Sequence, residues 1–243
     1  MPESKLKVIL LRHTPNPEEI VAQAAKLCYS PASVDELKKQ IESKNQASFI
    51  EKLTDMRHLS PIEHVTFTFG IEGISRACSH QIVRHRLASY SQQSQRYVGQ
   101  QSKKGGGFNF IVPSRIEEIG KRQWFIEKMD IIQKWYDEIV EALENHGEGT
   151  FEDARFLLPN AAETKIIITM NARELLHFFR VRCCNRAQWE IRDMATEMLR
   201  QVKQVSPHIF SDAGPGCVND KCPEGKMTCG KMDEVRERFK NLS

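Results

Sequence analysis

Hydrophobic and polar positions along this chain change period repeatedly, and each change marks an element. Val65, Phe67, Phe69 and Ile71 alternate with polar residues or glycine, which is the period of a half-buried strand. Short apolar runs at Lys7–Leu11, Phe108–Pro113 and Lys165–Met170 predict three more strands. Ile20, Ala24 and Leu27 recur at helical spacing after Pro17, which suits a first helical turn. Ser33 with Glu36 forms a capping box for a second helix, and Phe49, Ile50, Leu53 and Met56 mark a third helix from Ser48. Ser75 caps a helix reaching about Arg86, with Cys78, Ile82 and Val83 inward. Gln123–Asn145 is a long amphipathic helix with Trp124, Met129, Ile132, Trp135, Tyr136, Ile139 and Leu143 on one stripe, ended by Gly147. A short helix runs from Phe151 and stops at Pro159, and Arg186–Val205 closes the pattern as another amphipathic helix.

Two stretches break these rules. The helix opened by Asn171 carries Leu175, Leu176, Phe178, Phe179 and Val181 over most of its surface, so it reads as buried nearly all round. Arg173, His177 and Arg180 nevertheless share one face, a basic stripe that must meet something polar or anionic. Arg182 lies nine residues after Arg173, about half a turn away at 100° per residue. It reaches a different ligand, or a different copy of a site, or else it forms a structural ion pair with an acid such as Glu190. The second stretch, Arg84–Tyr97, gathers Arg84, His85, Arg86, Arg96 and three serines around little aliphatic bulk. Guanidinium forks, hydroxyls and loop N–H groups match phosphate oxygens, so this is either an anion site or a solvated basic loop.

Composition narrows the function classes. The 243 residues are 40% hydrophobic and 28% charged, with a net charge of +3, as in an ordinary soluble globular protein. A duplex-binding protein would carry more basic excess. No apolar run has the length of a membrane span, and the start of the chain lacks a signal-peptide pattern, so a cytoplasmic protein without membrane or nucleic-acid partners is expected. Seven cysteines, two of them adjacent, do not read as a disulfide framework. Cys217, Cys222 and Cys229 in the tail lack zinc-ribbon spacing; with His208 they could hold a metal, but free thiols and no metal site are favoured. The glycines at 105–107 lack dinucleotide-loop spacing.

No metalloprotease, Walker or nucleophile-elbow motif is present. Arginines, amides and histidines near helix ends bind phosphates and hydrogen-bond rings while breaking few bonds themselves, so a cofactor carries the chemistry. A non-catalytic nucleotide or single-stranded RNA module is the alternative from another class, and a zinc-dependent nucleotide hydrolase is a third reading.

Arg84-His85-Arg86, Ser89, Ser94 and Arg96 complete RHRxxSxxxxSxR, which resembles the signature of the flavin-dependent thymidylate synthases. HLSPIEH, the ARxxLP segment at Arg155, NARxLxxFxxxR and AQWEI occur in the family's order, so the resemblance spans about Lys7–Phe210. It implies an α/β (α+β) fold around a central, mostly antiparallel sheet with flanking helices. It further implies a single domain over residues 1–210 followed by a cysteine-containing tail at 211–243, and a homotetramer with active sites shared between subunits. The implied reaction is methylation of dUMP to dTMP with FAD, NADPH and 5,10-methylenetetrahydrofolate, without a cysteine nucleophile. By the same resemblance dUMP falls to Gln81, Ile82, Val83, Arg84, Gln92, Gln93, Ser94, Gln95, Arg96, Arg155 and Arg182, with Arg182 catalytic at the pyrimidine. FAD falls to Ser60, Arg84, His85, Arg86, Gln92, Asn171, Ala172, Arg173 and His177, and His58 to the flavin or folate pocket. Gln92 stands where some members have Glu, and His177 where some have Asn.

Overall fold

A computed structural model of the chain describes residues 3–144 and 146–242. In chain order its elements are β1 (Lys7–His13), α1 (Pro17–Leu27), α2 (Val34–Glu42), α3 (Ala47–Asp55), β2 (Thr66–Ser75), α4 (Arg76–Ile82) and β3 (Ala88–Gln92). There follow α5 (Ser102–Gly105), α6 (Ser114–Glu118), α7 (Arg122–Ala142), α8 (Glu148–Ala154), β4 (Glu163–Asn171), α9 (Ala172–Arg182), α10 (Trp189–Val205) and α11 (Met232–Lys240). The strands form one sheet in the order β1-β2-β4-β3. Thr14 N reaches Thr66 O while Lys7 pairs with Glu72, so β1 and β2 are antiparallel. Ala172 N meets Val65 O and Arg76 N meets Ala162 O, so β2 and β4 are antiparallel as well.

The chain divides into two compact units. One contains residues up to Lys7, Ile71–Arg84 and Tyr90–Ile167; the other contains Val8–Gly70, His85–Ser89 and everything from Ile168. In the first, Phe108, Phe110, Val112, Met129 and Ala162 form one buried cluster and Tyr136, Val140 and Ala154 another. In the second, α10 buries Ile191, Met194, Met198, Leu199 and Val202 along one stripe. Phe210 meets Phe67 and Phe179 edge-on at 5.5 and 6.0 Å.

Several expectations change on contact with the fold. Phe108–Pro113 is no regular strand, because the Gln133 side chain takes the Phe108 N–H and only Phe110 makes ladder bridges. The helix after Ser75 ends at Ile82 rather than near Arg86; the Tyr90 hydroxyl donates to the Ile82 carbonyl where the chain turns into β3. The stripe on α7 is only partly inward: Met129 and Tyr136 are buried, whereas Trp124 and Trp135 stay half exposed. The expected end of that helix, Asn145, lies outside the described residues.

Gly73 is the tightest backbone constraint, with φ of 72° and the Lys5 carbonyl oxygen 1.8 Å from where a Cβ would sit. Gly70, three residues earlier on the same strand, would meet only the flexible Leu11 side chain at 3.2 Å. Gly73→Ala is therefore expected to cost more than about 2 kcal/mol and Gly70→Ala less than about 1 kcal/mol in urea unfolding. Equal effects would remove the backbone constraint from the account.

Candidate active site

The Asn171 side chain caps α9 by accepting the Glu174 N–H at 2.8 Å. That start fixes the helix so that Leu175, Phe178 and Phe179 are buried while Arg173, His177 and Arg180 face solvent. The helix is thus not buried all round, and its basic stripe is an open surface. One turn inward the buried Glu174 carboxylate stands 3.4 Å from His85 Nδ1. On the other side of that ring, Arg182 Nε donates to His85 Nε2 at 2.9 Å. Phe178 packs edge-on against the imidazole with centroids 4.8 Å apart.

Burial, followed by the charges of Arg182 and His177, pushes the His85 imidazole down to about 4. At neutral pH the ring is therefore uncharged, with a lone pair on Nε2 for Arg182 and its proton on Nδ1 toward Glu174. The contact with Glu174 is a long polar contact and not an ion pair. Burial raises the Glu174 carboxyl from its ordinary value, with His177 opposing. His85 consequently orients Arg182 without neutralising it. The expectation that His85 contacts cofactor meets a side chain only 8% exposed, set beneath Arg182.

Beside this cluster, Cys28, Tyr29, Arg57, His58, Ser60 and Arg173 line a cavity of about 260 Å³. It shares Arg57, Leu59 and Arg173 with a larger one of about 510 Å³ that also holds His177 and Arg180. Four expected residues, His58, Ser60, Arg173 and His177, are thereby gathered in neighbouring cavities. Arg173 pairs with Glu63 of the HLSPIEH segment, a residue the motif contained without a role attached to it. Cys28 and Tyr29 carried no sequence signal at all, being the exposed end of an ordinary amphipathic helix. Asn171 and Ala172 are first of all scaffold, the one as helix cap and the other fully buried with its N–H on the Val65 carbonyl.

The remaining residues lie in the other unit, along β3 and the turn after it. Gln92 Nε2 donates to Ser79 Oγ at 2.9 Å and to Thr164 Oγ1 at 3.0 Å. Its amide donors are thus engaged, and no described residue donates to its carbonyl oxygen, which presents an acceptor as a glutamate would. Ser94 Oγ accepts from the N–H groups of Arg96 and Tyr97 and so orders the turn, while Gln93 N reaches the Lys165 carbonyl. Arg96 is paired with Glu148 and Glu152 of α8, its Nε 2.8 Å from the Glu152 carboxylate but not aligned as a hydrogen bond. Its fork is occupied by carboxylates. Arg155 acts on Arg76, whose guanidinium is lowered by burial and then by that like charge, so two cations face each other there. Arg76 carried no motif signal. Gln81 is half-buried, Ile82 is buried, and Val83, Arg84 and, in the unit that contains α9, Arg86 are exposed.

Residues 9–208 match the family model described as thymidylate synthase complementing protein. The flavin-dependent thymidylate synthase of Geobacter sulfurreducens is 55% identical over 240 residues, covering 98% of this chain and all of that one. The protein of the same name from Clostridium tetani is 52% identical, over 96% of this chain and 97% of that one. The chain belongs to the flavin-dependent thymidylate synthase family. A crystal structure of a UMP/dUMP methylase, PolB, from Streptomyces cacaoi bound with 5-Br dUMP shares the mixed α/β fold at a TM-score of 0.70. It is 20% identical and covers 86% of this chain and 94% of that one.

Flavin-dependent thymidylate synthases are methyltransferases. Burial pushes the Cys183 thiol up to about 12 and raises Cys217 as well. Among the described residues no helix is long and apolar enough to cross a membrane, and no His, Cys, Asp and Glu residues converge as metal ligands.

The depressed His85 value makes stability depend on pH. The unfolded chain takes up the proton near 6.5 and the folded one only near 4, so this stabilisation is whole above pH 6.5 and is lost as pH falls toward 4. It amounts to something on the order of 3 kcal/mol. His85→Gln, which keeps a hydrogen-bonding group without titrating, should flatten the pH dependence of urea unfolding between pH 6.5 and 4. An unchanged slope would mean that His85 is already charged in the folded protein.

Proposed function

We propose that the chain makes dTMP by reductive methylation of dUMP at C5, taking the carbon from 5,10-methylenetetrahydrofolate and the hydride from FAD reduced by NADPH. Family membership over residues 9–208 carries this reading. The donor set suits FAD: Arg173 and Arg180 present guanidinium groups for phosphates beside the His177 ring, next to cavities of about 260 and 510 Å³ that hold Ser60, His58 and the Tyr29 ring. The flavin, when bound and reduced, supplies the hydride; all else falls to the chain's own residues.

On the nucleotide side, Ser94, Gln95 and Arg96 hold the phosphate through hydroxyl, backbone N–H and guanidinium, with Arg96 exchanging its carboxylate partners for the phosphate. Gln81 to Arg84, Gln93 and Arg155 complete the dUMP contacts, and the Gln92 carbonyl oxygen accepts from the pyrimidine. Arg182, steadied by His85, places a fixed positive charge at that ring. This favours the N3-ionised uracil and raises electron density at C5, the atom that must attack the one-carbon unit. Arg84, Arg86, Asn171, Ala172 and Arg173 meet the flavin, and His58 borders the flavin or folate pocket. The buried Cys78 and Cys183 support a reaction without a cysteine nucleophile. Residues 1–210 serve as one catalytic domain and 211–243 as its tail, in a cytoplasmic homotetramer whose sites are shared between subunits.

Anaerobic absorption spectroscopy tests the reading. The protein loaded with FAD should show flavin bands that NADPH bleaches in a manner altered by dUMP, and with the folate it should release dTMP. Arg182→Ala should lower dTMP formation by about a hundredfold or more while retaining FAD. A protein that binds no FAD, or an Arg182→Ala variant with unchanged turnover, would contradict it.

A further inference from the structure

Between the end of α10 at Val205 and the start of α11 at Met232, residues 206–231 hold no regular element beyond a single 3₁₀ turn at Gly225–Met227. A segment of that length needs other contacts to keep its place. Val235 and Phe239 of α11 are buried, and Arg236 beside them donates from Nε to the Cys217 carbonyl at 2.9 Å and from its NH2 group to the Asp220 carbonyl at 3.1 Å. The Asn219 amide donates to the Asp212 carbonyl at 2.9 Å, and the Asp220 carboxylate meets Arg57 at 3.0 Å on the surface. One guanidinium that collects the carbonyls of both 217 and 220 bends the chain back on itself.

The return is tight. A Cβ on Gly216 would come within 2.9 Å of Pro223 and 3.3 Å of Arg180 Nε, so the loop closes on itself while lying against α9. With Gly216 against Pro223, their inner neighbours Cys217 and Cys222 face each other across the loop. Segments that return this closely bring facing residues within the roughly 4.4–6.8 Å between Cα atoms that an S–S bond spans.

Both thiols are free, and they differ in access: Cys217 is buried, whereas Cys222 is half-buried and reachable. Burial, then the neighbouring thiols Cys222, Cys184 and Cys229, raises the Cys217 thiol, with Cys222 the strongest of the three. The other two sulfurs already have donors. Cys229 Sγ stands 3.7 Å from the Asn185 amide, and Cys184 Sγ accepts the Arg186 N–H at 3.5 Å.

We propose that Cys217 and Cys222 are a reversible oxidation site, a thiol–disulfide pair that is closed by a small-molecule disulfide and then fixes the loop 217–222 beside α9. Cys222 loses its proton to water and attacks the donor; a bond to one half of the donor forms, the donor S–S bond breaks, and one thiolate leaves. Cys217 then gives up its proton and attacks Cys222 Sγ, which forms the internal bond and releases the second half. Two protein thiols are oxidised and one donor disulfide is reduced to two thiols.

The test is peptide mass mapping of the full-length protein after equilibration with glutathione and glutathione disulfide, with the remaining thiols capped by a maleimide. Trypsin cleaves after Lys221, so the bond is read directly as residues 204–221 joined to 222–226. The joined peptides should appear in the wild type and vanish with dithiothreitol. Half-oxidation should need a glutathione mixture about tenfold less oxidising in the native protein than in the urea-unfolded chain, because the fold holds the two thiols together. Cys217→Ser should stop at a glutathione adduct on Cys222, and Cys184→Ser and Cys229→Ser should leave the joined peptides unchanged, each variant being checked by thermal melting. The wild-type comparison decides alone if a variant fails to fold. Thiols that stay free, a bond from Cys222 to Cys184 or Cys229 instead, a wild-type adduct without the internal bond, or oxidation no easier in the native protein than in urea would overturn the inference. The readout needs no flavin, so its failure leaves the proposed activity untouched.

Discussion

An imidazole kept uncharged inside the protein is the constraint on which the site depends. His85 is enclosed by Phe178, by Glu174 on one nitrogen and by Arg182 on the other. A protonated ring would set two cations face to face and leave Arg182 without an acceptor at Nε2. Burial removes that option, and Arg182 receives a fixed direction from a partner that takes none of its charge. The cap at Asn171 matters for the same reason. It sets the phase of α9, which turns Glu174 inward to His85 and the stripe Arg173, His177 and Arg180 outward. One helix thus holds a positioned arginine at its end and an open face with Arg173, His177 and Arg180 along its side.

Elsewhere cations wait in similar states of partial satisfaction. Arg96 leans on two exposed carboxylates, and surface ion pairs of this kind contribute little. Arg76 and Arg155 face each other with burial already working against charge. Gln92 has its donors engaged by two hydroxyls and offers its oxygen. Such arrangements make sense in a protein that recognises anionic, ring-bearing ligands and leaves the bond-breaking to a cofactor.

Much of this was legible in the residues alone, wherever a periodic or motif signal coincided with burial. β2 was plain from Val65, Phe67, Phe69 and Ile71, and α2 from its capping box, which forms as read between Ser33 and Glu36. The family itself was legible in RHRxxSxxxxSxR. β3 was not, since Ala88–Gln92 alternates with polar side chains and looks like loop to any rule based on aliphatic bulk. Phe108–Pro113 misled in the opposite direction, because a buried amide, Gln133, competes for its backbone. The basic stripe on α9 was read from its spacing, but its exposure was not, because counting apolar residues ignores the phase that the cap imposes. Tyr29, Arg57 and Arg76 had no sequence signal, because their roles come from what folding brings beside them.

The central claim is that a neutral His85 seats Arg182, and ¹⁵N NMR of the ring nitrogens at pH 7 tests it most directly, with the His85 resonances assigned by comparison with His85→Gln. The account predicts a neutral imidazole with its proton on Nδ1 and an unprotonated, hydrogen-bonded Nε2. Two protonated nitrogens at pH 7, or the proton on Nε2, would contradict it, because Arg182 would then have no acceptor there.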